Sequence, residues 1–250
     1  MWDAGSKHYD EIGIGYRPLR QPDARIQSLI HERLGDAKRI VNLGAGAGSY
    51  EPTNRSVVAV EPSRTMLVQR RPGSAPAIEG RAESLPFPDR TFDVATGFLT
   101  VHHWNDWRAG LAEAQRVAER VLLLTWNGYP HGFWLMEYFP EIEQIDADLF
   151  PALAEFEEVL GPITETVVPI PRDCTDGFLC AYWARPEAYL REDVRRAISA
   201  FAYYDEPIDD RLARLQADLE SGAWAERYGP RDDEVARDFG YRLIESRPVS

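Results

Sequence analysis

The segment Val41–Ser49 (V-N-L-G-A-G-A-G-S) places glycine at alternate positions directly after a short apolar run. Glycine permits sharp backbone turns and lets a ligand lie directly against the main chain. A second apolar run ends in Glu61, seventeen residues after Gly44. A carboxylate at a strand end beside such a loop can accept hydrogen bonds from both hydroxyls of a ribose. The two features together predict a nucleoside site.

The glycine spacing distinguishes between nucleoside ligands. In the dinucleotide fingerprint G-x-G-x-x-G, the third glycine follows the first by five residues. Here the glycines stand at 44, 46 and 48, and Ser49 occupies the fifth place. This spacing disfavours a nicotinamide-dependent oxidoreductase. The loop taken alone is also compatible with an ordinary turn between a strand and a helix.

Short apolar segments and helical patterns alternate along the chain. This alternation predicts an α/β fold with a parallel sheet. The predicted helices are 24–36 and 107–118. The predicted strands are 39–43, 56–61, 77–80, 91–97, 120–126, 165–171 and 240–245.

A mostly helical stretch lies between the last two predicted strands and predicts a helical cap inserted late in the chain. We therefore expect a single domain of residues 1–250 in four parts. These are an N-terminal lid and helix (1–36), a cofactor-binding core (37–127), substrate-side insertions and cap (128–236), and a final strand with its tail (237–250).

The composition argues against several classes of partner. Among the 250 residues, 41 acidic against 28 basic side chains give a formal net charge of −13. Such a surface repels nucleic acid and anionic membranes, and no stretch reaches the roughly 18 apolar residues of a membrane helix. Cys174 and Cys180 fit no metal motif, so no metal is expected. With no apolar leader, a cytoplasmic protein is the simplest expectation.

Residues 81–94 (R-A-E-S-L-P-F-P-D-R-T-F-D-V) form a further motif. Together with the glycine loop and Ala59–Ser63 (A-V-E-P-S), this segment resembles the class I S-adenosylmethionine-dependent methyltransferases, in the small-molecule, methyltransferase type 11-like branch. The resemblance covers residues 39–126. It implies a Rossmann-like fold, with a seven-stranded, mostly parallel sheet and helices on both faces. It also implies S-adenosylmethionine as cofactor and methyl transfer to an O, N or C atom of a small molecule, such as a natural-product intermediate.

The resemblance also assigns roles to individual residues. The loop would pass beneath the amino-acid part and ribose of the cofactor, Glu61 would hold the ribose hydroxyls, and Met66 would lie near the adenine. Arg17 could grip the methionine carboxylate, or simply begin a surface turn with Pro18. The implied cofactor-binding set is Gly44, Ala45, Gly46, Glu61, Pro62, Met66, Ala82, Glu83, Leu99, Thr100 and Arg17.

The chain departs from the family pattern at several places. Arg81 stands where an acid is common, Asn42 replaces a common aspartate, and the stretch between Gly48 and Ser56 is too short for a full crossover helix. These departures leave open an alternative function, an S-adenosylmethionine-binding protein without methyl transfer. Its cofactor would be structural or would serve a cyclase-type reaction.

His102 and His103 are the candidate catalytic residues. They follow the fourth predicted strand, at the sheet edge where open α/β sheets bind ligands. Histidine suits a general base near neutral pH. The same pair could instead cap the next helix or pack against the cofactor. This place lacks the Asn/Asp-Pro-Pro-aromatic segment of nucleic-acid methyltransferases.

Aromatic residues late in the chain are candidates for the acceptor pocket or for ordinary packing. They are Phe133, Trp134, Tyr138 and Phe139, with Asp173–Phe178 and Tyr182–Trp183. The acidic run from Asp146 to Glu158 predicts solvated helix faces.

Overall fold

The computed structural model describes residues 19–231 and 233–246. The predicted N-terminal lid, including Arg17, lies outside this range. The α-helices are α1 (Ala24–Leu34), α2 (Arg64–Leu67), α3 (Trp107–Val117), α4 (Glu141–Leu149), α5 (Leu153–Leu160), α6 (Glu192–Arg196), α7 (Ser199–Ala202), α8 (Asp209–Ser221) and α9 (Ala223–Tyr228). Among these residues, no helix is long and apolar enough to span a membrane.

A seven-stranded sheet forms the centre of the fold. In chain order its strands are β1 (Arg39–Leu43), β2 (Ser56–Glu61), β3 (Ala77–Glu79), β4 (Phe92–Phe98), β5 (Ala118–Trp126), β6 (Ile163–Val167) and, after a further strand pair, β9 (Tyr241–Ser246). Their order across the sheet is β3-β2-β1-β4-β5-β9-β6, and β9 runs antiparallel to both of its neighbours, β5 and β6. The predicted α/β sheet is confirmed, and the predicted ends of α1, α3 and the first five strands lie within two residues of those observed.

Alternate residues of the central strands face opposite sides of this sheet. Leu122 and Leu124 of β5 belong to a buried cluster with α1. Their neighbours Val121 and Leu123 belong to a second cluster with α3 and α5. Helices therefore cover both faces. The strand order reverses between β1 and β4, and in open α/β sheets the crevice at such a switch point binds ligands.

The sixth predicted strand is divided in the structure. Residues 163–167 form β6 at the sheet edge, whereas β7 (Ile170–Pro171) leaves the sheet and pairs antiparallel with β8 (Ala236–Arg237). Prolines at 169 and 171 cannot donate backbone hydrogen bonds, so they limit continued pairing in the sheet. The β7–β8 pair joins the two ends of the helical insertion. The division of the chain into four parts stays a prediction.

A buried polar network replaces the crossover helix after β1. Asn42 donates from Nδ2 to Glu51 Oε1 at 3.0 Å and accepts from Thr96 Oγ1 at 3.2 Å. Arg70 binds Glu51 Oε2 at 2.6 Å and the Gly46 carbonyl oxygen at 3.3 Å. The Arg70 and Glu51 side chains are each only 7% exposed. The short stretch after Gly48 is therefore held from beneath by charge-assisted hydrogen bonds. Asparagine suits position 42 because its amide donates to a carboxylate.

We expect Asn42→Asp to destabilise the fold. The substitution replaces a donor with a second carboxyl group against Glu51 and should lower the free energy of unfolding by ~1–3 kcal/mol. Urea denaturation measures the change. Asn54→Asp is the control because Asn54 is exposed. Equal stability of the two variants would contradict the described network.

Candidate functional site

The glycine loop has a backbone that few other residues could adopt. Gly44, Gly46 and Gly48 have φ angles of 59°, 51° and 94°. A Cβ at position 44 would lie 1.9 Å from Thr100 Oγ1, which no rearrangement of a single side chain could relieve cheaply. Glycine is therefore required both for the turn and for the close approach of β4 to the loop.

Glu61 connects the loop to the turn after β2. Its Oε2 accepts from the Gly46 amide at 2.7 Å, and its Oε1 accepts from the Ser63 amide at 2.8 Å. The residue is 5% exposed. An ionised carboxylate has about four lone-pair sites, so these two hydrogen bonds do not exhaust its capacity to accept. The carboxylate thus both orders the loop and can receive further donors from the crevice beside it.

A crevice of about 880 Å³, partly open to solvent, lies above the ends of β1, β2 and β4. Arg17 lies outside the described residues. All the other residues predicted from the sequence to bind the cofactor line this crevice: Gly44, Ala45, Gly46, Glu61, Pro62, Met66, Ala82, Glu83, Leu99 and Thr100. Its chemistry fits an adenosyl group, because it combines bare main chain, an acceptor for hydroxyls and apolar side chains for a base. Glu83 Oε1 also accepts from the Asp106 amide at 3.1 Å, so this carboxylate is already oriented toward the backbone.

Leu99 separates the crevice from a second, smaller pocket. It has a φ of 51°, a conformation that costs a non-glycine residue energy and persists only when neighbouring structure holds it. The Leu99 amide donates to the Leu124 carbonyl at 2.8 Å, which helps to hold it. The strained residue lines both cavities. The conformation of Leu99 therefore helps to shape the boundary between the crevice and the second pocket.

The His102–His103 turn follows immediately. Val101–His103 form one turn of 3₁₀ helix, closed by a hydrogen bond from the His103 amide to the Thr100 carbonyl at 2.8 Å. Trp104 packs so closely on Gly110 of α3 that a Cβ there would lie 2.5 Å from the indole. The alternative helix-capping role is wrong, because the Asp106 side chain caps α3 through the Ala109 amide.

The two histidines face different spaces. His103 lines both the crevice and the second pocket, whereas His102 lines only the second. The His102 ring packs between His103 and Phe150, at centroid distances of 3.8 and 3.9 Å. Burial, with lesser contributions from His103 and Arg20, holds the pKa of His102 well below its usual range. His102 is therefore neutral and serves as an aromatic wall.

We call the second pocket the side pocket. It contains about 440 Å³ of space that no protein atom occupies, part of which is open to solvent. Three residues line both cavities, and we call them the neck: Arg20, Leu99 and His103. Beyond the neck, aromatic, aliphatic and small side chains from six parts of the chain surround the space. They are His102, Trp126, Phe150, Phe178, Leu179, Ile198, Ser199, Ala200 and Tyr241, together with Asp146.

Arg20, Asp176 and Tyr50 form a buried cluster that the sequence did not predict. Arg20 Nε binds Asp176 Oδ1 at 2.6 Å, and the Tyr50 hydroxyl donates to Asp176 Oδ2 at 2.7 Å. Arg20 and Asp176 are 156 residues apart in the chain, so no local pattern could reveal the pair. Arg20, Tyr50 and Asp176 all line the crevice, as does Ser49 at the end of the glycine loop, so the cluster brings a guanidinium to the crevice wall.

Most of the late aromatic residues pack in the core. Phe133, Trp134, Tyr138 and Phe139 are buried and line neither cavity. Their assignment to the acceptor pocket is not supported, and ordinary packing explains them. Phe178 from the 173–178 segment does line the side pocket. Cys174 is buried, and this burial raises its pKa to about 12, as expected for an inert thiol.

The acidic run in the sequence predicts that Asp146 lies on a solvated helix face, but the residue is buried, with 6% of its surface exposed. It lies four residues after buried Ile142 on α4, so both face the protein interior. That spacing was the signal in the sequence. Burial raises the pKa of Asp146 to about 7, opposed by a hydrogen bond from Tyr129.

Comparisons with known proteins agree with this geometry. A family model described as a methyltransferase domain matches residues 41–120. A solved structure from Anabaena variabilis ATCC 29413, named "Putative methyltransferase from antibiotic biosynthesis pathway", is 31% identical. The alignment covers 92% of this chain and 99% of that one, with a TM-score of 0.83.

Two further proteins are similar over less sequence or at lower identity. The 2-methyl-6-phytyl-1,4-hydroquinone methyltransferase 2 of Oryza sativa subsp. japonica is 30% identical over 48% of this chain and 36% of its own length. Geranyl diphosphate C-methyltransferase from Streptomyces coelicolor A3(2), solved with S-adenosyl-L-homocysteine, is 14% identical with a TM-score of 0.51, over 89% of this chain and 75% of that one. That likeness shows the fold alone.

The first curated relatives are aligned over only 36–38% of their own lengths. The Anabaena relative, in contrast, is matched over nearly its whole length at 31% identity. Taken with the glycine loop, the carboxylate after β2 and the sheet order, these matches show that the chain belongs to the class I S-adenosylmethionine-dependent methyltransferases, in the type 11-like branch.

Proposed function

We propose that this protein transfers a methyl group from S-adenosylmethionine to an O, N or C atom of a small molecule. One observation carries the proposal: the nucleoside crevice adjoins a separate side pocket, and the neck residues Leu99, His103 and Arg20 line both cavities. A cofactor in the first cavity and an acceptor in the second would meet at that neck. Protein that surrounds the neck would exclude water from the reaction.

The residues around the crevice have distinct proposed roles. Gly44–Gly46 support the cofactor with bare main chain, and Glu61 accepts hydrogen bonds from the ribose hydroxyls. Met66 and Ala82 contact the adenine. Arg20 binds the methionine carboxylate, the role considered for Arg17, because it is an arginine that lines the crevice and guanidinium pairs well with carboxylate. When bound, the cofactor supplies an electrophilic methyl group on a positively charged sulfur.

His103 is the proposed base at the neck. For a hydroxyl or amine acceptor, His103 would take the acceptor proton on a ring nitrogen while the accepting atom displaces the neutral thioether from the methyl group. The products are S-adenosylhomocysteine and the methylated acceptor. Alignment of the two reactants at the neck supplies the rest of the rate enhancement.

An isotope experiment tests the proposed transfer. The protein is incubated with methyl-labelled S-adenosylmethionine and a small-molecule fraction of the source cells, and products are detected by mass spectrometry. We expect labelled product that depends on the protein. Saturable cofactor binding without labelled product would instead favour the alternative function, cofactor binding without methyl transfer.

Glu61→Gln should weaken S-adenosylhomocysteine binding by ~1–3 kcal/mol, because charge-assisted hydrogen bonds to the ribose become weaker. Calorimetric titration measures the affinity. Glu79→Gln is a matched control, because Glu79 is the direct neighbour of Glu61 across β2 and β3 and is exposed. Equal affinities for both variants would place the ribose elsewhere.

His103→Asn should lower kcat roughly 10²-fold or more for a hydroxyl or amine acceptor. Steady-state kinetics with the acceptor identified above measures the loss. His131→Asn is the control, since His131 is exposed and distant in sequence from the neck. A kcat within two- to three-fold of wild type would assign His103 to packing alone.

A further inference from the structure

We infer that the side pocket binds a small, neutral, planar ring and that Asp146 selects it by accepting a hydrogen bond from a hydroxyl or amino group on the ring. This inference rests on the proposed function, because it takes the side pocket as the acceptor site. Its subject is the acceptor class and the residue that determines it.

Asp146 lies beyond the neck. Arg20, Leu99 and His103 line both cavities, but Asp146 lines the side pocket only. An acceptor with its reactive atom at the neck would therefore extend toward Asp146 with another part of the molecule. Asp146 is accordingly a specificity-determining residue, whereas His103 is the residue that contacts the reacting atom.

The Asp146 carboxyl is an incompletely used acceptor. Oδ2 accepts from the Tyr129 hydroxyl at 2.6 Å. Within residues 19–231 and 233–246, no hydrogen bond reaches Oδ1 and no arginine or lysine pairs with the group. A buried carboxyl without a cation is costly unless hydrogen bonds satisfy it. A donor on a bound ligand would offset that cost.

Burial raises the pKa of Asp146 to about 7, which agrees with this environment. Near neutral pH the carboxyl is only partly ionised, so it does not require a cationic partner. The titratable groups around Asp146 are uncharged as well. They are Tyr129, Tyr241 and Cys180, and burial raises the pKa of each well above its usual value.

The walls of the side pocket favour a flat ring. The Trp126 and Phe150 rings are in edge contact, with their centroids 5.6 Å apart. The His102 ring lies against the Phe150 ring at an interplanar angle of 32°. Phe178 and Tyr241 pack together at 4.6 Å on the pocket wall. Aromatic faces and edges pair well with another aromatic ring. The space between these walls is small and partly open to solvent, so a single ring suits it better than a large ligand.

Charge at the two ends favours a neutral ligand. The neck carries the Arg20 guanidinium, already paired with Asp176. The far end carries Asp146. The carboxylate form of Asp146 would repel an anionic acceptor, and the Arg20 guanidinium would repel a cationic one. A neutral ring with a polar substituent avoids both repulsions.

Three rings of nearly equal shape test the inference: 1,4-dihydroxybenzene, 4-methylphenol and 1,4-dimethylbenzene. Each is titrated calorimetrically into the protein under argon, with and without saturating S-adenosylhomocysteine. We expect wild type to bind the dihydroxy ring at least about five-fold more tightly than 4-methylphenol, since only the former can place one hydroxyl at the neck and another at Asp146.

Asp146→Leu keeps the size of the side chain and removes the acceptor, so it should abolish or reverse this preference. Asp148→Leu is the matched control on the exposed face of α4 and should keep it. Tyr129→Phe should also keep it, because the carboxyl remains. An unchanged preference in Asp146→Leu, no preference in wild type, or no binding of any ring would overturn the inference.

The same titrations separate this inference from the proposed function. Asp146→Leu should bind S-adenosylhomocysteine within about two-fold of wild type, because Asp146 does not line the crevice. Normal cofactor binding with no ring preference would contradict the acceptor class alone. Absence of S-adenosylhomocysteine binding by wild type would contradict the proposed function, while the titrations without it still test the side pocket.

Discussion

The carboxylate of Glu61 is the contact on which the site depends. Its two oxygens accept from the amides of Gly46 and Ser63, so one side chain orders both the glycine loop and the turn after β2. These are the main-chain segments between which a nucleoside would lie. Because the residue is nearly buried, its charge acts in a poorly solvated environment, where hydrogen bonds to it are strong. Removing it would affect the loop and the ligand together.

The remaining structure keeps this arrangement in place without a full crossover helix. Arg70 reaches the Gly46 carbonyl and the Glu51 carboxylate, and Asn42 connects Glu51 to β4 through Thr96. The network thus links the loop, β1 and β4 beneath the crevice. Leu99 and the His102–His103 turn follow from the same end of β4. The strand that supports the cofactor crevice therefore also leads to the neck and the side pocket.

Local patterns in the sequence predicted the central sheet and helices α1 and α3, because strand and helix periodicity are local properties. The cofactor-binding residues were assigned mainly through the family resemblance, and their roles stay predictions. Contacts between distant segments were not predictable in this way. Arg20 meets Asp176 across 156 residues, and β7 leaves the sheet to pair with β8. The predicted solvent exposure of Asp146 is wrong, because its four-residue spacing from buried Ile142, and not the acidity of the segment, determines which face of α4 it occupies. The late aromatic residues could not be divided between packing and pocket without coordinates.

The most direct test of the account is a calorimetric titration of the wild-type protein with S-adenosylhomocysteine and, separately, with NADH. The account predicts saturable, one-to-one binding of S-adenosylhomocysteine and no saturable binding of NADH, because the glycine spacing and the single carboxylate suit an adenosyl amino acid. Saturable binding of NADH alone would contradict it.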